Sequence, residues 1–102
     1  MNKLHYFDAA SEDLANIKKY ISEELGSPEA AKNTVAKITK RIRQLEEFAE
    51  IGASLSSIVG IDTDYRFLVC GNYLAFYRVH GTDVYIVRVL YGKRDYLSIL
   101  FN

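Results

Sequence analysis

The chain has 102 residues, 49% hydrophobic and 25% charged, and its 13 basic and 13 acidic side chains cancel to a formal net charge of zero. That length holds one domain with one two-layer core and excludes a second domain with a site of its own, so residues 1–102 are read as a single unit. Zero net charge argues against a broad electrostatic grip on nucleic acid, and no apolar run approaches the ~20 residues of a membrane-spanning helix.

The N-terminal stretch MNKLHYFDAASEDL carries no apolar secretory core, so a cytoplasmic location is expected. Within it LHYFD reads as a short strand, and Asp8 is placed to cap a helix whose first turn holds Glu12 and Asp13. Leu14, Ile17, Ile21 and Leu25 recur at three- and four-residue steps and share one face. Gly26 ends that helix, Ser27 caps the next, and Pro28 stands in its first turn, where a missing N–H does no harm. The second helix carries the stripe Val35, Ile38, Ile42, Leu45 and Phe48, with Lys32, Lys37, Lys40, Arg41 and Arg43 on its solvated side. From Ala49 to Asp64 the pattern dissolves into small polar residues and two glycines, which predicts a loop with at most a turn of structure.

Beyond the loop the period becomes two. YRFLVC, YLAFYRV and VYIVRVL, separated by GN and HGTD, predict a three-strand antiparallel meander with Gly71-Asn72 and Gly81-Thr82 as type II′ turns. Cys70 then faces Tyr73, His80 faces Asp83, and Tyr77 lies opposite both Arg66 and Ile86. Phe67, Val69, Leu74, Phe76, Val87 and Val89 are expected under the helices. Arg66, Leu68, Cys70, Tyr73, Ala75, Tyr77, Ile86, Arg88 and Leu90 are expected on an outer face, too apolar to stand bare. Arg78 falls on the helix side as a structural residue. Cys70 is the only cysteine, and His5 and His80 lie far apart in sequence, so neither a disulfide nor a metal centre nor any cofactor is expected.

The order of strand, two antiparallel helices, loop and meander, followed by YGKRDY, resembles the RelE/ParE family of bacterial toxins. YRFLVCGNYLAFYRV, VYIVRVL and AASEDLANIKKYI are similar to that family's pattern too, with Ala49 standing where the family commonly has proline. The resemblance implies an α+β fold in which the helices pack on an antiparallel sheet. It implies a growth-arresting toxin neutralised by a cognate antitoxin that wraps a helix and an extended segment around it. Its two branches differ in target: one cleaves mRNA on the ribosome, the other poisons DNA gyrase. On the cleavage reading, Arg66 and Arg94 match catalytic positions, with Tyr96 as the nearest base and Arg88 assisting. Leu68 and Leu74 replace further basic residues of that branch, and a tyrosine pKa of ~10 makes a poor base. Those losses and the zero net charge favour gyrase. Arg66, Tyr73, Tyr77, Arg88, Tyr91, Lys93 and Arg94 are then the candidate contacts with the target or antitoxin. A non-toxic protein that only binds an antitoxin is the remaining alternative.

Overall fold

The structure is a computed structural model that describes residues 1–101. β1 (Lys3–Tyr6) leads into α1 (Asp8–Lys19), which continues as a π-helical turn, Tyr20–Glu24. α2 (Pro28–Arg43) follows and tightens into a 3-10 turn, Gln44–Glu46. Then come β2 (Ala53–Ser54), α3 (Ser56–Val59), β3 (Arg66–Cys70), β4 (Tyr73–His80), β5 (Asp83–Tyr91) and α4 (Tyr96–Phe101). Among the described residues no helix is long and apolar enough to cross a membrane.

The helix boundaries follow local chemistry. Gly26 takes a φ of +66°, a left-handed conformation that costs glycine little, just after the π-helical turn that continues α1 has ended. Ser27 Oγ accepts a hydrogen bond from the Ala30 N–H at 3.2 Å and caps α2, with Pro28 at its first position. At the start of α1 the expectation shifts by one residue. Phe7 occupies the capping position in extended backbone, and Asp8 is the first helical residue. Its carboxylate still lies at the positive end of the helix.

The five strands form one sheet in the order β1-β5-β4-β3-β2. The meander has the expected register: Cys70 pairs with Tyr73, Arg66 with Tyr77, Tyr77 with Ile86 and His80 with Asp83. Gly71 and Gly81, at φ of +63° and +62°, supply the positive φ that a type II′ turn needs at its first central residue. The sheet is mixed rather than antiparallel, because β1 joins its edge parallel to β5. The 49–64 segment holds more than a turn: β2 pairs with Arg66 and Phe67, and α3 follows.

Which face the helices cover is the opposite of the expectation. Ala10, Ile38, Ile42 and Leu45 bury Leu68, Cys70, Ala75, Tyr77 and Ile86. The other face is covered by Leu55 and Val59 of the former loop and by Tyr96, Ile99 and Leu100 of α4, which close over Phe76, Leu90, Phe67 and Leu74. Alternation in a strand says which residues share a face and is silent on which face meets the helices; here both sets are apolar. A register shift between Phe76 and Tyr77 adds a second difference. Tyr77 faces Ile86 while Phe76 faces Arg88, so Val87 is the extra residue of a bulge. Past it the parity reverses, and Val89 rather than Leu90 joins the helix-side core. The ends of both helical stripes stay outside: Leu25 and Phe48 are each 61% exposed.

Candidate target-binding site

At the end of the sheet where β3 begins, an arginine and a tyrosine hold the chain that enters β2. The Arg66 Nη2 donates to the carbonyls of Glu50 at 3.1 Å and Gly52 at 2.9 Å. The Tyr77 hydroxyl donates to the Ala49 carbonyl at 2.8 Å and accepts from the Gly52 N–H at 2.9 Å. Gly52 is required here: a Cβ would stand 2.5 Å from the Tyr77 hydroxyl and 2.6 Å from the Phe67 carbonyl. Tyr77 is fully buried under the helices, so it offers no surface to a target and the expectation of a contact residue is corrected. Arg66 is half-buried; its Nη2 is held by the loop carbonyls, while its buried Nε has no hydrogen-bond partner among the described residues.

Arg88 is likewise drawn inward. Asp13 of α1 accepts from Arg88 Nε and Nη2, both at 2.8 Å, and from the Val89 N–H at 2.8 Å. The hydrogen bond that Arg88 donates to Asp13 raises the pKa of Arg88 against the opposing effect of burial. β1 stops pairing at Ile86, so the Val89 N–H belongs to an open strand edge, which Asp13 caps. Arg88 is therefore a structural partner and not a residue displayed on an outer face. Arg78 pairs with Asp64 at 3.0 Å and lies 5.3 Å from the Tyr65 ring centroid, on the α3–α4 side instead of the helix side.

The other end of the sheet is arranged differently. Beyond Tyr91 the chain turns, with the Gly92 N–H bound to the Asn72 carbonyl at 2.8 Å and the Arg94 N–H to the Tyr91 carbonyl at 3.0 Å. The turn is thus pinned by its backbone to the β3–β4 hairpin. Asp95 accepts from the Ser98 hydroxyl at 2.7 Å in the first turn of α4. Lys93 and Arg94 are exposed, and among the described residues no carboxylate makes an ion pair with either. Beside them Tyr73 and Tyr91 meet edge to face, with centroids 5.8 Å apart. Burial raises the pKa of Tyr73, and the neighbouring Tyr91 and Tyr20 raise it further. Tyr20, 56% exposed at the start of the π-helical turn, is the other tyrosine whose charge acts on Tyr73, and sequence reasoning misses it. Its signal was an aromatic residue standing off the Leu14-Ile17-Ile21 stripe.

The catalytic trio of the cleavage reading does not assemble. Arg66 lies four strand steps from Cys70, about 13 Å at ~3.3 Å per residue, while Arg94 sits beyond the hairpin at the far end. Tyr96 packs its ring on Phe76 at 5.1 Å within the second core.

A family model described as the ParE toxin of type II toxin-antitoxin systems, parDE, matches residues 4–96, from β1 through the basic turn. The chain belongs to the ParE toxin family. It is the toxin component of a type II toxin-antitoxin system. A solved structure described as the chromosomal ParDE TA system from P. aeruginosa is similar to it, with 28% sequence identity and a TM-score of 0.74. That match covers 89% of this chain and 96% of the other. No curated protein sequence matches significantly. In this ParE-family fold the expected arginines and tyrosines divide into two sets, one that holds the chain together and one, at the turn, whose cations make no ion pair among the described residues.

Proposed function

We propose that this toxin arrests growth through protein contact with DNA gyrase, made by the turn Tyr91–Asp95 with Tyr73 and Tyr20 beside it. The observation that carries this reading is the separation of the cations. Arg66 is engaged with loop carbonyls at one end of the sheet, Arg88 with Asp13, and only Lys93 and Arg94 are available at the other. Phosphodiester cleavage requires charge-stabilising and proton-transferring groups converging within hydrogen-bond reach of one phosphate. A protein interface requires something else: exposed tyrosine and arginine on a pinned backbone, the residue types that dominate interface energetics. The cognate partner is an antitoxin encoded beside the toxin, and both act in the cytoplasm.

Purified protein tested in a gyrase supercoiling assay decides the matter. Inhibition of supercoiling, with no new mRNA 5′ ends after induction in cells, is the expected result. New 5′ ends with gyrase unaffected would establish the ribosome-dependent endonuclease instead, and absence of growth arrest would leave a non-toxic antitoxin-binding protein.

A further inference from the structure

The most basic element takes no part in the chemistry discussed so far. α2 holds five cations, Lys32, Lys37, Lys40, Arg41 and Arg43, against the single carboxylate of Glu29. At about 100° per residue, Lys32, Lys37, Lys40 and Arg43 fall within an arc of about 140° around the helix. The buried residues of the same helix, Ala31, Ile38 and Ile42, lie on the opposite side. The core therefore holds α2 with the cationic arc turned to solvent. All four side chains are exposed, and none makes an ion pair among the described residues. Arg41, at the flank of the arc, is drawn aside: its Nε donates to the Val69 carbonyl at 3.3 Å.

The residues among the cations narrow the partner. Asn33 and Ala36 fill the arc, and Glu29 stands in the first turn, before the row begins. No aromatic or branched apolar side chain lies there. Protein interfaces draw most of their energy from such anchors, so a protein partner fits poorly. An anionic membrane binds a helix through an apolar face, and in α2 that face is already packed in the core through Ile38 and Ile42. A phosphate backbone asks for what the arc has, lysine, arginine and amide side chains. From Lys32 to Arg43 the row runs about 16 Å, at ~1.5 Å per residue. The major groove of a DNA duplex is ~12 Å wide, so cations at the two ends of the row reach phosphates on both of its sides.

We propose that the solvent face of α2 binds the phosphate backbone of a DNA duplex without reading its sequence. The zero net charge of the chain argues against a broad electrostatic grip, whereas this one is confined to four side chains on one helix face. Each cation that meets a phosphate releases condensed counterions, and that release drives the association. Four such contacts give weak binding, with Kd on the order of 10⁻⁴ M near physiological salt, which tightens steeply as salt is lowered. Contacts of this kind fix position and carry no sequence information. The surface uses no residue of the Tyr91–Asp95 turn, so the inference stands whichever target that turn meets.

The test is fluorescence anisotropy of a labelled DNA duplex of arbitrary sequence with the purified chain, read across a range of salt concentrations. For wild type, the logarithm of the binding constant should fall with the logarithm of salt at a slope of about −3.6, ~0.9 for each of four contacts. Lys32→Gln/Lys40→Gln should make that slope shallower by about 2, one contact for each lysine. Its melting temperature should match wild type, because both side chains are exposed and glutamine forms helix nearly as well as lysine. Lys3→Gln/Arg78→Gln removes the same charge at positions that the strand register places on the face of the sheet away from α2, and should leave the slope unchanged. No duplex binding at low salt, or equal slopes for the two double variants, would overturn the proposal. Tighter binding of an RNA duplex of the same length would overturn it in favour of RNA. Capture by vesicles of anionic phospholipid in the absence of duplex binding would overturn it in favour of a membrane surface.

Discussion

The two ends of the sheet use the same residue types for opposite purposes. Where β3 begins, Arg66 and Tyr77 face inward and bind the backbone of residues 49–52. Past the end of β5, Lys93, Arg94 and Tyr91 project from a turn fixed by its own backbone bonds. The difference lies in what the neighbouring chain lacks. Ala49, Glu50 and Gly52 leave helix geometry with unpaired carbonyls and an unpaired N–H, and a buried polar group of that kind must find a partner. At the turn the Gly92 and Arg94 N–H groups already have backbone partners, so no side chain is drawn in to serve them. An arginine or tyrosine at a sheet end is available to a target only where the backbone near it is satisfied.

The sharpest break of this contrast comes from the structural side. Asp13→Ala removes three hydrogen bonds and strands Arg88 and the Val89 N–H. A loss of about 3–5 kcal/mol in chemical denaturation is expected, as for other buried ion pairs broken on one side. A loss below ~1 kcal/mol, the range of an exposed pair, would show that Arg88 is free after all. Tyr77→Phe leaves the Ala49 carbonyl and Gly52 N–H unpaired in the interior and should destabilise by about 2 kcal/mol.

Cys70 tests the closure of the helix-covered face between these ends. Burial raises its thiol pKa from 9.0 to about 11. The unfolded chain releases the proton first as pH rises, so the thiol's contribution to stability is intact below pH 9.0 and is lost on the way to about pH 11. Cys70→Ala should flatten that part of the stability profile relative to wild type. In the native protein the thiol should resist alkylation at pH 8 until denaturant is added. The smallest effect on stability belongs to Arg94→Ala, within about 0.5 kcal/mol of wild type. Yet this variant should lose toxicity in a growth assay, while Arg78→Ala, which removes an exposed pair with Asp64 and a contact with the Tyr65 ring, should keep it. Equal toxicity of the two would dissolve the distinction between the ends.

Much of the fold is legible in short-range chemistry. Gly26, Ser27 and Pro28 mark the break between the helices, and Gly71 and Gly81 set the register of eight cross-strand residues in β4. Less of the site is legible. Asp13 reads as a charge suited to a helix N-terminus, although it falls three residues after Ala10 and four before Ile17, on the buried stripe. A carboxylate in that position signals a buried partner, and nothing local says that the partner is Arg88, 75 residues away. The 49–64 segment reads as a loop because its small residues have weak preferences. Its structure comes from the β3 edge and from Tyr77 and Arg66, contacts made across the chain.

Local sequence determined β1, α1, α2, the break between the helices and the three meander strands with their turns, because each depends on residues within a few positions of one another; β2, α3 and α4 are not legible in that way. It also determined that Lys93 and Arg94 follow the last strand in a turn. Only the tertiary structure decided which face of the sheet the helices cover, where Val87 bulges out, and which arginines remain available. Those outcomes depend on the parallel docking of β1 and on unpaired backbone groups brought near from distant segments, and a pattern of period two or 3.6 carries no record of either.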